Sequence, residues 1–494
     1  MSKSISMFSY PRQDLVAGVV VFLVAVPLCL GIAVACGVPP ISGLVAGICA
    51  GLIVPWISRS PLSVSGPAAG LTSVVLAEVA HLGGFPFFLS AVMAAGLIQF
   101  ALGILRLGKF SALVPSAVIK GMLAAIGITI ILKQIPVAFG VGALGDILAH
   151  WSVVPVIIGA LSLGMLVGWT NTPLAKIHFI PPALVMVIVA SLVAALFANT
   201  PWLALTPAQF VRVPLGSIME LREALPRPEL SALRLSVTWS VGLTVAVVAS
   251  IETLLSLQAV DRLDPLKRKS PPDRELLAQG IANMTSGFFG GLPVTAVIVR
   301  SGTNVAAGAR QRLSALVHGL LLVITLVFFG TVINRIPLAA LAALLIQVGF
   351  RLASPALVRT QYKLGLNQFL PFVLTIVAVI ATDLMKGVIF GTVIGVVFVI
   401  RQNTKNAIQQ ITEPDGTIVV KFHRDGTFIS KPELQSILNN VSDNQCVIVD
   451  GRGEFVDHDI KEVLQGFVQE APSRNIGVQV RGIDLSTTMP SGGH

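Results

Sequence analysis

Two stretches of small residues could bind an anion with no cationic side chain. One reads Ser63-Val64-Ser65-Gly66-Pro67-Ala68-Ala69-Gly70, the other Phe289-Gly290-Gly291-Leu292-Pro293-Val294-Thr295. Proline suits the first turn of a helix, where no backbone N–H is needed, and glycine before it lets an extended chain turn. Each stretch therefore reads as extended backbone entering a half-helix. A helix start carries unpaired N–H groups and the positive end of the macrodipole. Two such starts facing each other make an anion site. The donors would be the N–H groups of Ala68 and Ala69 on one side and Val294 and Thr295 on the other, with Ala296 alongside. Thr72 and Thr295 would add hydroxyls, and neither stretch carries an acidic residue that would repel the ligand.

Three further residues could serve such a site. Glu252 lies inside the apolar run from Val245 to Ser256. An unpaired carboxylate near mid-bilayer costs roughly 3 kcal/mol or more, so it must face protein or water and is a coupling-ion or proton site by default. Ser256 is one turn further along the same face. Arg300 follows Pro293 by about 10 Å of helix and could supply positive potential or pair with Glu252.

The elements that must position these groups follow from composition. Of 494 residues, 54% are apolar and 12% charged, and the mean hydropathy is +0.85. Soluble domains carry about 25% charged residues, so a cytosolic enzyme is excluded and so is disorder. No nucleophile elbow, phosphate-binding loop or Cys/His metal spacing is present, which argues against an enzyme or a cofactor. The +10 net charge does not point to nucleic acid, because the basic residues sit at the ends of apolar runs. The run from Leu15 to Cys36 exceeds the roughly 7–15 apolar residues of a signal peptide and reads as a first membrane helix.

Apolar segments then recur at 40–57, 66–81, 85–105, 112–134, 152–169, 179–197, 235–258, 274–289, 294–307, 312–333, 337–350, 369–385 and 387–400. With the first, these make about 14 spans. Basic residues such as Arg106, Lys267-Arg268-Lys269, Arg351 and Arg401 follow even-numbered spans, placing both termini in the cytoplasm. The two broken stretches open the third and tenth spans, equivalent places in two halves of seven. Such pairing predicts an inverted-repeat transporter with its site between them. The repeats cover about 15–197 and 235–400, within a membrane domain of 1–405. Past it, 411–485 turns polar. Strands are expected at 417–422, 446–450 and 477–480, and helices at 431–440 and 459–470. The expected fold is an all-α polytopic membrane protein plus a small cytoplasmic α/β domain, with a tail at 486–494.

Gln279-Gly280-Ile281-Ala282-Asn283-Met284, Gly287 to Pro293, Arg300-Ser301-Gly302-Thr303-Asn304 and Ala307-Gly308-Ala309-Arg310 resemble the sulfate permease (SulP) family of anion transporters, as does the stretch from Ser63 to Ala68. The resemblance spans the whole membrane part. It implies a 7+7 inverted repeat, a core domain moving against a gate domain as an elevator, and a homodimer. The family's acidic position in the eighth span falls on Glu252. Sodium-coupled members usually have Asp there, Thr at the place of Ser256 and a hydroxyl residue at that of Ile298. This sequence therefore leans towards proton coupling or exchange. Residues 411–485 resemble a shortened STAS domain, with Asp450 and Phe455-Val456-Asp457-His458-Asp459 at its second strand and following helix and no evident phosphorylatable Ser. Pro27-Leu28 replaces the Pro-Gln of many sulfate carriers. With the Phe455–Asp459 motif, this resembles the branch often encoded near carbonic anhydrases and implies a possible contact with one.

The expectation is thus secondary active transport of an inorganic oxyanion, sulfate or bicarbonate, across a bacterial inner membrane. Proton coupling or exchange is favoured over sodium. The alternatives are a sodium-coupled bicarbonate symporter, an anion channel or an exchanger of chloride-like anions. A nucleobase symporter would need a carboxylate in the tenth span, and 293–307 has none. A scaffold role for the α/β domain could coexist with transport.

Overall fold

The computed structural model describes residues 6–108, 115–169, 181–200, 204–213, 223–382, 384–404, 408–423, 425–453 and 455–485. The starts of the fifth and seventh expected spans and the 486–494 tail lie outside the described residues.

The membrane part is a succession of apolar helices: α1 (Pro11–Ala35), α2 (Pro40–Ile57), α3 (Thr72–His81), α4 (Phe85–Ile104), α5 (Ser116–Ala138), α6 (Val153–Gly168) and α7 (Pro182–Leu196). The second half follows with α8 (Ser236–Leu263), α9 (Pro272–Phe288), α10 (Ile298–Ala306), α11 (Leu313–Phe328), α12 (Leu338–Leu352), α13 (Pro355–Lys363), α14 (Leu366–Ala381) and α15 (Leu384–Thr404). Proline opens α1, α2, α7 and α9, where its missing N–H is no loss. Among the described residues, six helices are long and apolar enough to cross a bilayer, with α12 and α13 counted together as one. The eleventh segment breaks at Phe329, where an extended-side φ of −114° separates α11 from a further turn at Gly330–Ile333.

The third and tenth segments are the broken ones. Each begins as a three-residue strand, β1 (Ser65–Pro67) and β2 (Val294–Ala296). The two strands pair antiparallel, with Gly66 opposite Thr295. A short turn of 3₁₀ helix at Ala69–Leu71 leads from β1 into α3, while β2 leads directly into α10. The helices sort into two groups by packing. In one, α1, α2, α8 and α9 hold the strand pair, with α4 packed on α8 and α9 and α11 on α1 and α2; in the other, α12 packs on α5 and α6, and α6 on α7.

By internal contacts the chain resolves into two compact units. One contains the residues up to Lys363 with Phe372–Thr392; the other contains Leu364–Pro371 and the residues from Val393 onward. The second unit includes a sheet of order β3-β4-β5-β6: Ile408–Thr412, Ile418–Phe422, Cys446–Asp450 and Gly477–Arg481. The first pair is antiparallel and the other two are parallel. Helices α16 (Lys431–Asn439) and α17 (His458–Glu470) bury Leu434, Leu438, Ile460 and Leu464 in the same core as Val420 and Val449. This domain begins with a strand at Ile408, ahead of the expected start at 411. Asp457 caps α17 by accepting the Ile460 N–H at 3.0 Å. Asp450 pairs with Arg452 at 2.8 Å, and the hydrogen bonds from Arg452 hold its carboxyl below the usual range.

Candidate anion-binding site

The two strands are fixed by side chains rather than by a larger sheet. Glu275, Gln279 and Asn283 recur every four residues on one face of α9, and all three are fully buried. Glu275 accepts from the Ser58 hydroxyl and, at 2.8 Å, from Gln279 Nε2. The same Gln279 amide donates to Ser65 Oγ in β1 at 2.7 Å. Asn283 accepts the Val294 N–H at 2.6 Å and donates to the Val294 carbonyl at 3.0 Å and to Gln99 Oε1 at 2.6 Å. Thr253 Oγ1 accepts the Ala296 N–H at 3.2 Å. At the ends of the pair, the Val297 N–H donates to the Val64 carbonyl and the Val64 N–H to Ser301 Oγ.

This bonding changes which groups can meet an anion. The sequence points to the N–H of Val294 and to Ala296 beside it, but both N–H groups are already bonded inside the protein, to Asn283 and Thr253. The first turn of α10 starts at Ile298, so the amides with no intrahelical partner belong to Ile298 and the two residues after it. On the other side, Ala69 opens the 3₁₀ turn before α3, as expected for Ala68 and Ala69. Thr72 donates its hydroxyl proton to the Ala69 carbonyl at 2.7 Å, which leaves it only lone pairs to present to a ligand. Thr295 is fully buried and its Oγ1 has no protein partner, so its hydroxyl is open.

Glu252 and Arg300 take opposite places. Glu252 of α8 lies against the start of the α3 half-helix. A Cβ built on Gly70 would be 2.6 Å from its Oε1 and 2.7 Å from its Oε2. Its Oε2 has no hydrogen-bond partner. Ser256 is buried on the next turn of α8. Arg300 is fully buried against β1, where a Cβ on Gly66 would lie 2.0 Å from Nη1. Its Nη2 donates to Cys29 Sγ at 3.3 Å, while Nε and Nη1 are unpartnered. Among the described residues no ion pair joins Arg300 to Glu252.

Glycine is required at two kinds of position here. Gly66 and Gly70 admit charged side chains that any Cβ would displace. Gly290 turns the chain into β2 at φ +82°, and a Cβ there would meet the Pro226 carbonyl oxygen at 2.3 Å. In the sequence Gln279 and Asn283 carry only a family resemblance, and their role in a polar ladder with Glu275, Gln99, Thr253 and the buried His318 of α11 went unread. The recurrence of Glu275, Gln279 and Asn283 at four-residue spacing inside an apolar segment was the available signal.

Residues 12–378 match the sulfate permease family. The chain belongs to the sulfate permease family. Among its relatives, YbaR of Bacillus subtilis is 27% identical over 97% of this chain and 96% of its own. The bicarbonate transporter BicA of Picosynechococcus is 25% identical over 82% of this chain and 74% of its own. The solved transmembrane domain of a cyanobacterial bicarbonate transporter BicA superposes with a TM-score of 0.67 at 25% identity, covering 77% of this chain and 98% of that one. The murine anion transporter Slc26a9, solved in its inward-facing state, superposes with a TM-score of 0.77 over 97% of this chain and 87% of its own. At 17% identity, that second likeness bears on the fold alone. The chain is thus a multi-pass anion transporter of this family, not an enzyme, with a small STAS-like sheet domain after its membrane part.

Proposed function

We propose that this transporter carries sulfate or bicarbonate together with a proton, by an elevator movement across a bacterial inner membrane, with both termini in the cytoplasm. The contact between the Glu252 carboxylate and Gly70 supports this reading most directly. An ionised carboxylate at the start of α3 competes with a substrate anion for the same N–H groups and the same positive dipole end. A protonated Glu252 leaves them open. Proton and anion then bind together, and the site crosses with one charge fewer. The anion is held by the amides at Ala68–Gly70 and Ile298–Arg300, with the Thr295 hydroxyl as a further donor. Arg300 adds positive potential from the Gly66 side. The group of helices around the strands is the moving core, and the group of α5, α6, α7 and α12 is the gate. The domain from Ile408 onward supports a homodimer or docks a carbonic anhydrase.

The decisive experiment is uptake of labelled sulfate and labelled bicarbonate into proteoliposomes under a proton gradient, a sodium gradient or neither, for wild type and Glu252→Gln. Accumulation of one anion under the proton gradient, with that dependence lost in the variant, supports the reading and names the substrate. The likeness to BicA favours bicarbonate as a second reading of the substrate. Accumulation driven by sodium replaces proton coupling with symport of that ion. Flux that neither saturates nor responds to a gradient makes the chain a channel.

A further inference from the structure

A groove of about 800 Å³ runs between α1, α7 and the end of α11. Its walls are almost wholly apolar: Phe22 and Val26 from α1, Ile188 and Leu192 from α7, and Phe329 after α11. Arg335, exposed and in no ion pair among the described residues, stands in the same wall. The groove separates the two helix groups, since α1 and α11 belong to the one around the strands and α7 to the other. From Leu184 to Ala195 it follows α7 for about 16 Å. That is close to the depth of one leaflet, half of a hydrocarbon core roughly 30 Å thick.

We propose that this groove holds one acyl chain of an anionic phospholipid, with the lipid phosphate against Arg335. The volume is that of a ligand pocket, which runs from about 300 to 1,000 Å³. A purely apolar wall would accept any acyl chain and select none. An apolar slot one leaflet deep whose described lining carries one cation, Arg335, matches a molecule with an apolar tail and a negatively charged head. Arg–phosphate contacts are charge-assisted and can be bidentate, so the head fixes the tail in register. A lipid wedged between the two groups touches both, and it binds differently when one moves against the other.

The test reads retention without reading transport. The full-length protein is purified in detergent, exposed to equal amounts of phosphatidylglycerol and phosphatidylcholine, and examined by native mass spectrometry. Wild type is expected to retain one phosphatidylglycerol. Arg335→Ala, a change at an exposed position, is expected to retain at least tenfold less. Ile188→Trp, which fills the slot, is expected to retain neither lipid. Equal retention of the two lipids by wild type overturns the proposal, as does retention unchanged in Arg335→Ala. A dimer mass lost on Ile188→Trp, with no lipid retained by wild type, replaces the lipid with a second copy of the chain. A protein that retains the lipid but shows no proton-coupled uptake leaves this site standing while the transport reading fails.

Discussion

Asn283 takes the place of a neighbouring strand for Val294, accepting its N–H at 2.6 Å and donating to its carbonyl at 3.0 Å. One side-chain amide satisfies both backbone groups of a residue buried in the middle of the helices. Asn283→Ala should therefore cost about 1–3 kcal/mol through unmade hydrogen bonds. Asn283→Asp retains the acceptor but loses the donor to both Gln99 and the Val294 carbonyl and sets a buried carboxylate against those two oxygens, so it should cost at least as much as Asn283→Ala. Thermal unfolding of the purified variants, in detergent, orders the three.

Glu252 and Gly70 give a sharper test of the site. Gly70→Ala places a methyl 2.6 Å from the Glu252 carboxylate and must push it aside. Uptake should fall by about tenfold or more, equivalent to about 1.4 kcal/mol of lost binding. Gly302→Ala is the control, because a Cβ there meets nothing within 4 Å. It should match wild type in a proteoliposome uptake assay.

Arg300 separates function from stability. Its charge is buried with two unpartnered nitrogens, and replacing a buried charge by an apolar group of similar size is often neutral or stabilising. Arg300→Met is therefore expected to unfold at the wild-type temperature or above, yet bind anion at least about tenfold more weakly. Gly66→Ala should do the opposite and cost about 1–3 kcal/mol by overpacking against the guanidinium. Parallel melting and binding curves check both.

The loop after α8 should give an acid-dependent component of stability. Burial opposes the charge on Asp264. Arg268, donating at 2.7 and 3.2 Å, and the N–H groups of Leu266 and Arg268 outweigh that effect and hold its carboxyl below the usual range. A depressed folded value means the stabilisation is complete above the unfolded value of about 4 and is lost as pH falls through the folded one. Asp264→Asn should lose about 1–3 kcal/mol at pH 7 and show a flatter acid limb in pH-dependent melting.

Much of the membrane part was legible because apolar length and Gly-Pro punctuation are local signals. The start at Pro40 and the extended backbone ahead of two half-helices follow from them, while the spans expected from 15, 179 and 274 begin at Pro11, Pro182 and Pro272. What they could not reveal is pairing. That Gly66 faces Thr295, or that Asn283 rather than a ligand holds Val294, depends on partners far apart in sequence or on a side-chain direction. The N–H expected as a donor at Val294, and that of Ala296 alongside it, are taken up by Asn283 and Thr253, and helix α10 begins two residues beyond β2. The strand at Ile408–Thr412 was missed because it starts within the boundary between an apolar helix and a polar domain, where composition is mixed.

The strand pair also constrains how the chain is made. Ser65 waits for Ala296, roughly 230 residues behind it on the ribosome. At about 5–20 residues per second, the first half spends on the order of ten to fifty seconds in the membrane with β1 lacking its mate. Unpaired backbone cannot be left facing lipid, where each such group costs several kcal/mol. The newborn N-terminal half must therefore shelter Ser65–Pro67 among its own helices, in the insertion machinery or under a chaperone until the second half arrives. A premature stop before Val294 would leave a chain that spans the bilayer with its centre unfinished, a ready substrate for membrane quality control.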